Sequence, residues 1–139
     1  MKKNSLFLAT FAIVATVMIT ISCVQVQPSP ASGSGVVTNE RYGRLSGVYS
    51  ASLGCGLLEA DKAVRAAAEV LMLHQLSRNN QTSSVVYEYK DVYEARVSVK
   101  LTFDANGQAV IAVKFSKTGD REFSRKFVAA VEEQLRALE

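Results

Sequence analysis

Residues 93–115 read YEARVSVKLTFDANGQAVIAVKF, and the fold turns on how this stretch doubles back. Tyr93, Ala95, Val97, Val99, Leu101 and Phe103 alternate with Glu94, Arg96, Ser98, Lys100, Thr102 and Asp104. That is the period-two pattern of a strand covered on one face and wet on the other. The segment Asp104-Ala105-Asn106-Gly107-Gln108 then offers two turns. A two-residue loop at Asn106-Gly107 pairs Phe103 with Val110 and Val99 with Lys114, which drives a lysine onto the apolar face. A three-residue loop, with a type I turn at Ala105-Asn106 and Gly107 left-handed in a bulge, pairs Phe103 with Ala109, Leu101 with Ile111, Val99 with Val113 and Val97 with Phe115. The second register keeps the buried face apolar, so the spacing predicts that one.

Upstream, Ser84 to Tyr89 reads as another strand, separated from the first by a break at Lys90-Asp91. Leu58 to Leu76 has helical spacing: Val64, Ala67, Ala68, Leu71 and Met72 form one stripe, and Lys62, Arg65 and Glu69 mark the wet side. Asn79-Asn80 is the stop signal. Its many alanines suit a helix lying close on the sheet. Further upstream, Leu45, Gly47, Tyr49, Ala51 and Leu53 alternate with Ser46, Val48, Ser50 and Ser52, the pattern of a strand. Downstream, Asp120 is placed to cap a helix running to about Leu138, with Phe123, Phe127, Val131, Leu135 and Leu138 as its buried stripe. The charges of this helix oppose its macrodipole, with Arg121, Arg125 and Lys126 early and Glu132, Glu133 and Glu139 late. No folding reason accounts for the basic start. The expected fold is α+β: a two-layer sandwich in the order strand, helix, three strands, helix, with a largely antiparallel four-stranded sheet and two helices on one face.

The chain of 139 residues is room for one domain. Its 16 Lys and Arg against 13 Asp and Glu give a net charge of +3, much of it from Lys2 and Lys3. In the remainder basic and acidic residues interleave, without the dense basic face that nucleic acid requires. One His and two Cys leave little for a metal site, and no cofactor motif is present: the Gly-rich stretches 32–35 and 54–56 lack the frame that cradles phosphate.

The first residues read as an export signal. Lys2 and Lys3 precede a charge-free apolar run from Leu6 to Ile21, short for a spanning helix. Thr20-Ile21-Ser22-Cys23 follows and resembles a bacterial lipobox, although the family usually carries Leu where Thr20 stands. The resemblance implies a signal peptide over 1–22, lipidation of Cys23 and cleavage before it. Two or more acyl chains hold a protein stably on a membrane. Residues 23–41, with Pro28, Pro30 and Ser-Gly-Ser-Gly, then read as a flexible tether, and 42–139 as a single α+β domain. An uncleaved signal anchor is the alternative. Both readings put the domain outside the cytoplasm, and Val24 after the Cys points to the outer membrane, facing the periplasm. With Cys23 lipidated, Cys55 has no internal partner, so it is either a small residue in a turn or one half of an intermolecular disulfide.

Together these elements resemble a family of small bacterial lipoproteins of unknown function. Its members share a lipobox, a Gly-x-Leu strand, an Ala-rich helix, an antiparallel meander and a Gly-Asp-x-x-x-Ser helix start. The matching segments here are Gly43-Arg44-Leu45, Ala63 to Leu71, the turn at Asn106-Gly107, and Gly119-Asp120 through Ser124. Val113-Lys114-Phe115-Ser116 departs from the family's usual Ile-Arg-Val-Gly, and Gly54-Cys55-Gly56 is extra length. The resemblance implies a fold and an envelope location, and carries no assigned activity.

The chemistry-bearing residues do not assemble into a catalytic set. His74 lies near the end of the first helix without acidic or thiol neighbours, and Ser124 lacks the surroundings of a nucleophile elbow. Tyr87, Tyr89 and Tyr93 cluster with Lys90 and Arg96 as a candidate interaction patch, against the plainer reading of tyrosines that pack a strand. The expected function is that of a membrane-tethered, non-enzymatic module. It would bind an envelope protein or cell-wall partner through a free sheet edge or the wet face of the long strand. A carrier of a small apolar ligand is the alternative, and a hydrolytic enzyme a more distant one.

Overall fold

The computed structural model describes residues 37–139. The elements run β1 (Val37–Gly43), β2 (Val48–Leu53), α1 (Leu57–Val70), β3 (His74–Gln81), β4 (Ser84–Lys90), β5 (Arg96–Phe103), β6 (Ala109–Phe115) and α2 (Arg121–Ala137). All six strands form one antiparallel sheet in the order β1-β2-β6-β5-β4-β3. The expected four-stranded sheet is therefore corrected to six strands, and the general α+β kind stands. The two additional strands are the two edges. β1 includes Val37 to Arg41, which lie in the stretch read as tether, and β3 occupies the stretch read as the end of the first helix.

The central hairpin forms in the three-residue register, with Phe103 opposite Ala109, Leu101 opposite Ile111, Val99 opposite Val113 and Val97 opposite Phe115. Gly107 is left-handed at φ +76°, and its N–H donates to the Asp104 carbonyl at 3.1 Å. The Asp104 carboxylate accepts from the N–H groups of Asn106 and Gln108 at 2.8 and 2.9 Å, fixing the turn before the strands meet. At the other end of β5 the alternation outruns the strand. Asp91 takes the N–H groups of Tyr93 and Ala95 on its carboxylate and Glu94 is left-handed, so Tyr93 stands in a turn at 86% exposure.

Both helices lie on one face of the sheet and touch each other; α2 covers β2 and β6, and α1 covers β5. Ala60, Ala63, Ala67 and Ala68 bring α1 close, and Val64 packs with Phe127, Val128 and Val131 of α2 over Tyr49, Ala51, Leu53, Val97, Val99, Leu101, Ile111 and Val113. α2 begins where its sequence signal placed it: the Asp120 carboxylate accepts from the Phe123 N–H at 3.0 Å. The turn before it rests on the β1–β2 turn, glycine against glycine. Gly47 (φ +68°) and Gly119 (φ +83°) meet backbone to backbone, and a Cβ on either would collide with the other segment.

Candidate interaction surface

β3 exists because α1 stops early. Leu71 caps the helix, Met72 turns left-handed at φ 57°, the Met72 N–H donates to the Glu69 carbonyl at 3.0 Å, and the Leu73 N–H donates to the Ala68 carbonyl at 2.9 Å. This is the Schellman arrangement, with Leu73 and Ala68 both buried as its apolar contact. The usual residue at the left-handed position is glycine, and its replacement by methionine hides the stop from sequence reasoning. The following eight residues, all exposed, pair with β4 along one side and, among the described residues, with no strand along the other. The ladder shifts between Gln75 and Ser77, a bulge in an otherwise continuous edge.

One side chain pins this edge to the helical layer. Arg78 reaches from β3 to Asp61 of α1 at 3.1 Å, and Arg65, one turn along the helix, approaches the other carboxylate oxygen at 3.2 Å. The Arg78 guanidinium also sits 5.7 Å from the centre of the Tyr87 ring, within cation–π range. Tyr87 and Tyr89 lie stacked beneath, centroids 5.8 Å apart. Their hydroxyls are buried and meet no hydrogen-bond partner among the described residues. Burial, and then the negative charge of Asp61, pushes the Tyr89 phenol up to about 12. Between α1 and the β3–β4 arm a groove of about 380 Å³ is lined by Leu57, Leu58, Asp61, Arg78, Asn80, Gln81 and Val85. Apolar residues on one wall and amide side chains on the other suit it to a side chain of an extended segment laid along β3.

The five residues of the candidate patch are not brought together. Tyr87 and Tyr89 point under α1, and Lys90 and Arg96 face each other on the helix-free side of the sheet. Lys90 is tied to Glu94 at 2.9 Å, and Tyr93 projects from the turn. His74 opens β3 opposite Lys90, whereas Ser124 is buried in α2 with its hydroxyl unpartnered among the described residues, so the two lie on opposite flanks of the sheet. Cys55 stands just before the helix-capping Gly56, and its carbonyl accepts from the Ala109 N–H at 2.9 Å. Burial, then the Glu59 charge, pushes its thiol up to about 11, away from the reactive thiolate. The signal segment, Cys23 and the tether as far as residue 36 lie outside the described residues.

Sequence reasoning missed Asp61 and the whole of β3. A signal for Asp61 was present: it lies three residues before Val64 on the apolar stripe and four before Arg65, an acid where the pattern calls for an apolar residue. Residues 5–134 match the family described as "Protein of unknown function (DUF3568)", and the chain belongs to that family. Comparison with curated proteins finds no significant match.

Proposed function

We propose that this member of the family is a lipid-anchored protein of the bacterial envelope, outer membrane facing the periplasm, whose domain is a non-enzymatic module that takes an extended segment of a protein partner onto β3. The carrying observation is that edge: eight exposed residues with one row of backbone donors and acceptors facing no strand among the described residues. Such a row is a template for strand addition, in which backbone bonds supply affinity and alternate side chains supply specificity. The groove beside Arg78 is where one of those side chains would seat. The anchor rests on the lipobox-like Thr20-Ile21-Ser22-Cys23 and the Pro- and Gly-containing stretch after it. The space between helices and sheet is filled by Val64, Ala67, Phe127 and Val131, all fully buried, which favours a surface binder over a carrier of an apolar ligand.

Two experiments test the reading. Metabolic labelling with a clickable fatty acid should mark the wild type and not Cys23→Ala, and the variant should leave the membrane fraction. For β3, a photo-crosslinking residue at position 79 should give a discrete adduct in intact cells, and one at position 100 should not. That adduct should be lost in a Ser77→Pro background. Equal adducts from both positions, or an adduct indifferent to proline, would show that β3 is not the docking edge.

A further inference from the structure

The β1–β2 ladder runs from Val37 opposite Leu53 to Gly43 opposite Val48, and the Gly47–Gly119 contact lies at the Gly43 end. The described chain therefore enters at one end of the domain, and α2 starts at the other. At that far end three cations of α2, Arg121, Arg125 and Lys126, gather beside β1. Arg41, Arg121 and Arg125 line a recess of about 150 Å³ with Glu40, Tyr42 and Tyr49. Arg121 and Arg125 also line a groove of about 660 Å³ with Glu122, Lys126 and Ala129. The recess and the groove share Arg121 and Arg125 as a common border and together make a trough in which Glu40 and Glu122 sit among the cations.

Two observations set this trough apart from ordinary solvated charge. Arg121 stands in the first turn of α2, where the macrodipole disfavours positive charge, so folding gains nothing from its charge there. Second, the cations line a concavity, whereas a flat bilayer is best met by side chains that project. A trough takes a strand.

We propose that this far end is a second binding site, which holds the peptidoglycan of the cell wall by the free carboxylates of its peptide stems. Arginine forks grip carboxylates bidentately, and Arg121 and Arg125, one turn apart on α2, supply two of them at one recess. The half-buried Tyr42 beside them offers a ring face to a sugar. The location suits such a polymer: a domain tethered through its entry end presents the opposite end away from the membrane. This inference takes the envelope placement from the preceding section and nothing from the β3 reading.

The test is cosedimentation of the full chain, purified in detergent, with isolated peptidoglycan sacculi in the same detergent. Wild type should sediment. Arg121→Gln/Arg125→Gln should bind about tenfold more weakly, and Arg96→Gln/Lys100→Gln, which removes the same charge from the helix-free sheet face, should match wild type. Sacculi with amidated carboxylates should lose binding without any change to the protein, which separates the site from a folding defect. Ser77→Pro should sediment like wild type, so failure of the strand-docking reading leaves this result intact, and absence of fatty-acid labelling bears on the placement alone. The proposal is overturned if wild type stays in the supernatant or if the two double variants weaken equally. It is also overturned if phosphatidylglycerol vesicles, set against phosphatidylcholine vesicles, show the same dependence on Arg121 and Arg125.

Discussion

Replacing Arg78 by alanine removes one of the two cationic partners of Asp61 and leaves the carboxylate in place, with 8% of its side chain exposed. The remaining partner, Arg65, is half exposed at 50% and its attraction is screened by water. Loss of a charge-assisted bond to a buried acceptor costs about 1.5–3 kcal/mol, and loss of the contact with the Tyr87 ring adds about 0.5 kcal/mol. Freed side-chain entropy offsets part of this, so the expected destabilisation of Arg78→Ala is about 2 kcal/mol. Asp61→Leu breaks two ion pairs instead of one, yet it removes the buried charge itself. Both arginines are a third or more exposed and can turn to water, and Leu57 and Val85 border the site. That variant should stay within about 1 kcal/mol of wild type, because desolvating a carboxylate costs nearly as much as its partners return. Counting bonds predicts the opposite order. Urea unfolding followed by tyrosine fluorescence decides it, since the chain has five Tyr and no Trp and two of the buried rings lie at the site. A drop of roughly 1–2 M in midpoint is expected for Arg78→Ala and little change for Asp61→Leu. If Asp61→Leu loses as much as Arg78→Ala, or if Arg78→Ala costs under about 0.5 kcal/mol, the reasoning about the buried carboxylate is refuted.

Further outcomes follow from the backbone and from the tyrosines. Met72→Gly relieves a left-handed residue at the end of α1 and should raise stability by about 0.5–1 kcal/mol, read as a higher urea midpoint. Gly119→Ala combines a φ of +83° with a collision against Gly47, and should cost at least about 2 kcal/mol; thermal melting by circular dichroism checks it. Tyr49 and Tyr89 are pushed from 10.0 up to about 12, in both cases chiefly by burial. The fold therefore keeps protons that the unfolded chain releases near pH 10. The stabilisation this carries is complete below pH 10 and is lost as pH rises towards 12. Spectrophotometric titration should show these two phenols ionising together with unfolding, and smooth ionisation of all five in a still-folded protein would contradict it.

The parts of the fold that were legible are those where one choice of register or cap leaves a charge in the wrong place. Lys114 forces the three-residue hairpin, and Asp120 ahead of an apolar stripe announces α2. The two edge strands were not legible because an edge buries little and needs no alternation. β3 reads His-Gln-Leu-Ser-Arg-Asn-Asn-Gln with every residue exposed, and Met72 conceals the helix stop in front of it. β1 is polar and bulged, with Asn39 left-handed, so it resembles the tether it follows. The same limit governs the candidate site. Tyr87, Tyr89, Lys90 and Arg96 are neighbours in sequence, but strand alternation sends the first two beneath α1 and the others to the opposite face. The partners that matter for β3 come from seventeen residues away in the chain, as Arg78 to Asp61 shows, and spacing alone does not reveal such a pair.

The position of β2 has a consequence for how the chain is made. β1 and β2 join the sheet through β6, the last strand, and Ser50 finds its partner in Ala112, about sixty residues later in synthesis. Strands β3 to β6 can close hairpin by hairpin as they emerge, since each pairs with its neighbour in the chain. The β1–β2 hairpin cannot: two strands alone are marginal in water, and Tyr49, Ala51 and Leu53 stay uncovered until β6 and α2 arrive. For that interval the molecule carries a sticky, unfinished piece at its leading end. Whatever machinery handles the nascent chain has to shield that hairpin from other copies until Ala109–Phe115 reaches it.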